Sequence, residues 1–182
     1  YAVVPVFTIA SDTIRRVVIY FDQEETDVDS CYKTNNQEIN VLDSLLEERL
    51  NSRYITALNV VTFVSPDGDS VYNAALSVRR NNSMREFLRQ RYPYVDVEKI
   101  KLTSEGEDWS ELRKLVASDS DLPDREEVLM LIDYHRDNIV KRKELLQKLN
   151  QGMAYRYIVR NVLPKLRRAE ITVVRKVPEM EK

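Results

Sequence analysis

The sequence predicts an α+β fold in which helices pack on one face of a sheet. Short runs of β-branched and apolar residues alternate with stretches whose apolar residues recur every three or four positions, in the order β-α-β-α-β. A long helical stretch then precedes one last strand. Elements that alternate in this way bury their apolar faces against each other in two layers, so a two-layer sandwich is expected.

The first half of the chain supplies two predicted strands and a helix. Residues 15–21 predict a buried strand because Val-Val-Ile-Tyr-Phe follows two arginines, and an acidic loop follows at 22–29. Residues 37–50 predict an amphipathic helix, since their apolar residues lie three and four positions apart. Residues 54–64 are rich in β-branched residues and predict a second strand.

A turn and a second helix follow. The sequence Ser-Pro-Asp-Gly-Asp-Ser at 65–70 predicts a tight turn, because proline presets φ and glycine tolerates a positive φ. Residues 73–91 predict a helix, with Asn73 as its N-cap. Residues 95–103 alternate apolar and polar side chains and predict a third strand.

The stretch 108–167 is predicted to be helical throughout, with Asp108 as the first N-cap and Gly152 as a separator. Residues 169–177 predict the last strand. The expected helical segments are 109–118, 123–134, 141–149 and 153–166.

Composition excludes several classes of function. The 182 residues include one cysteine, Cys31, and one histidine, His135, which excludes a disulfide framework and a multi-Cys or multi-His metal site. Three glycines exclude a glycine-rich phosphate loop. No apolar run is long enough to span a bilayer, and no cofactor is expected. Carboxylates are plentiful, but no spacing singles out a catalytic pair, so the chain is not expected to be an enzyme.

Charge is distributed unevenly along the chain. Residues 139–176 carry a net charge of +9, so the remainder carries −11. Three explanations stand side by side: an anionic partner, attraction between two parts of one domain, or a solvated helix face. Nucleic acid is not an expected partner because the pI is about 5.6 and no recognised binding motif is present.

Arg80 is the principal candidate for ligand binding. It lies on the predicted helix just after the turn at 65–70, where its planar fork could grip a ligand carboxylate through two parallel hydrogen bonds. The alternative is that Arg79 and Arg80 solubilise the surface or pair with the acidic loop at 22–29.

Four segments resemble one known family, in the correct order. Residues 18–22, Val-Ile-Tyr-Phe-Asp, resemble its opening strand, and residues 68–80 resemble its signature, Gly-x-x-x-(Tyr)-Asn-x-x-Leu-Ser-x-x-Arg. Residues 97–107 resemble its third strand and following loop, and Leu-Arg-Arg-Ala-Glu-Ile at 166–171 resembles its closing strand. The family is the OmpA-like domain, the peptidoglycan-associating C-terminal module of Gram-negative envelope proteins.

The resemblance implies a ligand and a site. In that family an aspartate and an arginine hold the zwitterionic end of diaminopimelate in the peptidoglycan stem peptide. Arg80 matches the arginine, whereas Ser65 stands where the family has the aspartate. Asp67, Asp69 or Asp22 could replace the missing carboxylate, because all three are expected near the same rim.

The resemblance also implies individual roles. Asn73 would order the turn and the helix start, Phe21 and Asp22 would form the opposite wall, and Arg168 would add positive charge from the last strand. The predicted peptidoglycan-binding residues are Arg80, Asn73, Ser65, Asp67, Phe21, Asp22 and Arg168.

The expected domain is OmpA-like over residues 16–177, with a helical insertion at about 108–165 before the last strand. Residues 1–15 would be an N-terminal arm or the tail of an upstream domain. The insertion resembles OmpA-like proteins of Bacteroides-type bacteria, some of which accompany fimbrial or adhesion proteins. The resemblance therefore implies a periplasmic, outer-membrane-associated anchor that binds stem peptide, with a fimbrial or outer-membrane protein as a further partner. The alternative is an interaction or structural module of a fimbrial or adhesion assembly that has lost peptidoglycan binding.

Overall fold

The computed structural model describes residues 8–9, 13–46, 54–176 and 178–179. Most of the predicted arm at 1–15 and the end of the predicted helix at 37–50 lie outside these residues. No helix within the described ranges is both long and apolar enough to cross a membrane.

The strands of the described residues are β1 (Thr8–Ile9), β2 (Thr13–Tyr20), β3 (Ile55–Val64), β4 (Ile100–Glu107), β5 (Arg168–Arg175) and β6 (Pro178–Glu179). Four of them form the main sheet in the spatial order β2-β5-β3-β4. Strand β3 pairs with β4 in parallel, whereas β5 runs antiparallel to both β2 and β3. A separate two-stranded ribbon joins β1 to β6.

Two helices, α1 (Asn35–Leu46) and α2 (Ser70–Arg91), pack against the main sheet. Buried side chains alternate along β3 and β5, as the two-residue period of a half-covered strand requires. Leu42 of α1 and Met84 of α2 meet buried sheet residues in one core. The α+β class and the predicted order of elements are therefore confirmed.

The helical insertion has a core of its own, built around buried residues such as Val116, Val128 and Ile158. Its helices are α3 (Trp109–Ser118), α4 (Arg125–Tyr134), α5 (Ile139–Lys148), α6 (Met153–Asn161) and α7 (Leu163–Leu166). The prediction of one helix over 153–166 was wrong. Pro164 lacks an N–H and its ring clashes with the preceding turn, so α6 ends and a short new helix begins.

Two boundaries also differ from the prediction because aspartates cap earlier turns. Asp69, not Asn73, is the N-cap of α2, and its side chain accepts a 2.8 Å hydrogen bond from the backbone N–H of Tyr72. Asp96 caps a 3₁₀ turn at Val97–Lys99, so the third predicted strand begins only at Ile100 and runs to Glu107. Both changes follow from the preference of a short carboxylate for unpaired N–H groups at helix starts.

The acidic and basic parts of the chain attract each other inside one fold. Three buried or nearly buried basic residues of the segment 139–176 pair with acids from outside it. The pairs are Lys143 with Glu107, Arg167 with Asp67, and Arg168 with Asp108. This confirms the second of the three explanations of the uneven charge for these residues.

Gly152 separates α5 from α6 at a positive φ of +77°, and a Cβ there would lie 3.1 Å from the carbonyl oxygen of Gln147. We expect Gly152→Ala to lower the free energy of unfolding by about 1 kcal/mol more than Gly106→Ala. Gly106 is the matched control because its φ is also positive, +72°, but nothing lies within 4 Å of its added Cβ. Urea unfolding of both variants measures the difference; equal losses would contradict the crowding at Gly152.

Candidate carboxylate-binding site

The ends of three strands enclose a small cavity at one edge of the sheet. Tyr20 at the end of β2 and Phe63 near the end of β3 both pair with Arg168 at the start of β5. The turn after β3 and the acidic loop after β2 therefore meet there. The cavity has a volume of about 110 Å³. Its lining includes Ser65, Asp67, Tyr72, Asn73, Arg80 and Arg167.

Arg80 is fully buried and is held by backbone carbonyl groups. Its Nε donates to the carbonyl oxygen of Glu25 at 2.9 Å, and its Nη2 donates to that of Asp22 at 3.0 Å. Its Nη1 donates to the carbonyl oxygen of Phe63 at 3.4 Å. The guanidinium also lies 4.8 Å from the ring centroid of Phe21. Arg80 therefore contacts the acidic loop as the alternative hypothesis suggested, but through main-chain oxygens.

No carboxylate of the described residues forms an ion pair with Arg80. Burial lowers the pKa of Arg80 to about 10; the nearby charge of Arg167 acts in the same direction, whereas Asp67 opposes it. A guanidinium carries five N–H donors, and the three contacts above leave donors on both terminal nitrogens without a partner among the described residues. A buried charge in this state favours a ligand of opposite charge.

Arg167 is a second buried cation at the cavity, and the sequence analysis missed it. Its Nε donates to the Ser65 hydroxyl oxygen at 3.1 Å, and its Nη2 lies 3.8 Å from a carboxylate oxygen of Asp67. The Ser65 hydroxyl in turn donates to the other carboxylate oxygen of Asp67. Arg167 and Ser65 together thus occupy the Asp67 carboxylate and balance its charge.

Arg168, predicted to add positive charge to the site, lies outside the cavity that Arg80 and Arg167 line. Its Nη2 lies 2.8 Å from Asp108 and 2.7 Å from Glu170, and its guanidinium stacks 4.3 Å from the ring centroid of Phe63. Adjacent side chains of an extended chain point in opposite directions, so Arg167 reaches the cavity and Arg168 does not. Which of these two neighbouring arginines reaches the cavity is decided by the register of β5 alone.

Asn73 holds the turn although it is not the N-cap of α2. Its side-chain amide donates to the carbonyl oxygen of Asp67 at 2.6 Å and to that of Ser65 at 3.3 Å. It also donates to the carboxylate of Glu107 at 2.9 Å. The turn is therefore fixed to both α2 and the end of β4.

The remaining predicted residues lie around the cavity with different roles. Phe21 is buried against the Arg80 guanidinium, and the Asp22 carboxylate accepts the backbone N–H of Gln23 at 2.7 Å. The Asp69 carboxylate is engaged in capping α2. Of the three aspartates proposed to replace the missing carboxylate, Asp67 is the one that lines the cavity.

The helical insertion contacts the turn through Lys143 of α5. Lys143 donates to the carbonyl oxygen of Gly68 and to the Ser70 hydroxyl, both at 2.8 Å, and forms a buried ion pair with Glu107. Glu107 also accepts from the indole N–H of Trp109 at 3.0 Å. One carboxylate thus links the turn, β4 and the insertion.

The sequence matches no family model and no curated protein. The structure is similar to the OmpA-like domain of FopA1 from Francisella tularensis subsp. tularensis SCHU S4, with 14% sequence identity and a TM-score of 0.46. The similarity covers 98% of this chain and 84% of that chain. At this level the similarity says nothing about ligand or function.

We expect Lys143→Met to lower the free energy of unfolding by about 3–5 kcal/mol, because it leaves Glu107 as a buried, uncompensated charge. In the double variant that combines Lys143→Met with Glu107→Gln, a large part of the lost free energy of unfolding should be restored. The control is Lys148→Met on the same helix, whose exposed pair with Glu144 is worth at most about 0.5 kcal/mol. Chemical denaturation measures all three variants. A Lys143 variant as stable as the Lys148 variant would contradict the docking of the insertion on the turn.

Proposed function

We propose that this chain is a non-catalytic cell-envelope module that binds the peptidoglycan stem peptide by a carboxylate at its diaminopimelate end. The observation that supports the proposal most strongly is the buried Arg80 guanidinium, which lines a cavity and has no carboxylate partner among the described residues. The proposal places the chain in the periplasm, in association with the outer membrane, as an anchor to the cell wall.

The geometry around Arg80 suits carboxylate binding. Three backbone carbonyls and the Phe21 ring fix the guanidinium, so little side-chain entropy is lost when a ligand binds. A charge-assisted, two-pronged hydrogen bond in a partly desolvated cavity is stronger than the same contact in water.

The choice of peptidoglycan as the ligand rests on the signature-like run at 68–80. In that run Arg80 and Asn73 match the positions that define the family pattern, and the structure brings both to the cavity. Asn73 fixes the turn that forms the opposite side, and Ser65 contributes a hydroxyl that is engaged by Asp67 and Arg167. These groups fix the walls of the cavity around the Arg80 guanidinium.

The ammonium group of a zwitterionic ligand would meet a different environment here from the one that the family pattern provides. Asp67 lies where it could face an ammonium group, but Arg167 and Ser65 already engage its carboxylate. We propose that binding at this site depends on the ligand carboxylate and gains little from the ammonium group.

Arg80→Ala should weaken co-sedimentation with diaminopimelate-containing sacculi by roughly 10- to 150-fold, because loss of one charged hydrogen-bond partner costs about 1.5–3 kcal/mol. Arg79→Ala is the matched control, since Arg79 is the exposed neighbour on the same helix. Arg80→Lys is measured beside Arg80→Ala as a second substitution of the same residue. Circular dichroism shows which of the variants fold. Wild-type protein that stays in the supernatant at low and moderate salt would contradict peptidoglycan binding.

The contribution of each ligand group is measured with three stem tripeptides that differ only in the third residue. The meso-diaminopimelate peptide carries the distal carboxylate and ammonium, the 2-aminopimelate peptide only the carboxylate, and the lysine peptide only the ammonium. We expect the first two to bind within about threefold of each other and the lysine peptide at least tenfold more weakly, by isothermal titration calorimetry. A preference of tenfold or more for diaminopimelate over 2-aminopimelate would show that Asp67 does bind the ammonium group.

The second candidate function is an interaction or structural module of a fimbrial or adhesion assembly. The helical insertion favours it, because a unit with its own buried core adds a surface that a peptide anchor does not need. The two functions are separable, since Arg80→Ala would then leave binding of the protein partner intact.

A further inference from the structure

The helical insertion contains a second cavity, of about 240 Å³, which is distinct from the one beside Arg80. It lies where the start of α3, the end of α4 and the start of α5 come together. The residues used in the following argument are Trp109, Ser110, Arg113, Asp133, Arg136 and Arg142.

Arg142 is buried in the wall of this cavity, with 4% of its surface exposed. Its Nε donates to the carbonyl oxygen of His135 at 3.1 Å, and its guanidinium stacks 4.3 Å from the centroid of a Trp109 ring. Its two terminal nitrogens have no hydrogen-bond or ion-pair partner in the part of the chain that the structure describes. Burial lowers the pKa of Arg142, and the charge of Arg136 adds to the effect.

The neighbouring carboxylates Asp133, Asp137 and Glu107 oppose this shift of the Arg142 pKa, but none of them forms an ion pair with Arg142. Asp133 is held by Arg113 through contacts of 2.7–3.0 Å and by Arg136 at 2.7 Å. Glu107 is engaged by Lys143, and Asp137 is exposed to solvent. The cavity wall therefore contains three guanidiniums and one carboxylate.

We infer that this cavity binds an oxyanion, either the carboxylate or the phosphate group of a ligand. The terminal nitrogens of Arg142 grip the oxyanion, and Arg113 and Arg136 contribute positive charge at the rim. Ser110, in the first turn of α3, adds a hydroxyl group to the same wall. The site is independent of the peptidoglycan proposal, because it shares no lining residue with the cavity beside Arg80.

The single tryptophan of the chain lines this cavity, so its fluorescence reports on binding there. The probes are acetate and inorganic phosphate, each titrated at constant ionic strength against chloride. We expect a saturable change in Trp109 emission. Saturation by acetate alone assigns a carboxylate site, by phosphate alone a phosphate site, and by both a general oxyanion site. A response indistinguishable from that of chloride overturns the inference.

Substitutions distinguish a change in Trp109 emission caused by binding in the cavity from one caused by salt in general. Arg142→Gln should abolish the saturable response. Arg136→Gln, whose side chain is mostly exposed and so endangers the fold little, should raise the apparent dissociation constant at least threefold. Arg125→Gln, a partly exposed arginine of the same insertion paired with Glu126, should leave the response unchanged. Equal responses in wild type and in a folded Arg136→Gln or Arg142→Gln variant overturn the inference.

Discussion

The burial of the Arg80 charge is the constraint around which the site is built. A guanidinium removed from water needs acceptors, and here they are carbonyl oxygens from the loop after β2 and from β3. Carbonyl dipoles satisfy hydrogen bonds without cancelling the charge. The loop is therefore ordered by Arg80, and Arg80 keeps a net positive charge for a ligand.

Glu107 connects this site to the helical insertion. It lies at the end of β4 and accepts hydrogen bonds from Asn73, Trp109 and Lys143. Lys143 in turn reaches the carbonyl oxygen of Gly68 in the turn. Because both partners of the ion pair are nearly buried, the insertion and the turn stabilise each other, and the insertion acts as a support of the cavity wall.

The order of strands and helices was predictable because hydrophobic periodicity is a local property of the sequence. The sequence also predicted that Arg80, Asn73, Ser65 and Asp67 lie together, because Arg80 and Asn73 belong to one short motif and Ser65 and Asp67 directly precede it. The role of Arg167 was not predictable, because its contact with Ser65 joins residues 102 positions apart. Choosing between two adjacent arginines requires the register of β5 against its neighbours, which no local pattern contains.

The buried arginines show how the fold distributes its charge. Among the described residues four arginines are buried, and two of them, Arg167 and Arg168, have carboxylate partners from distant parts of the chain. The positive charge of the C-terminal segment is thus used first for internal pairing. Arg80 and Arg142 instead combine backbone acceptors with an aromatic ring, and each lines a cavity. A buried cation that is hydrogen-bonded but has no ion-pair partner lowers stability until an anion binds, so we expect an anion that binds at either position to raise the free energy of unfolding.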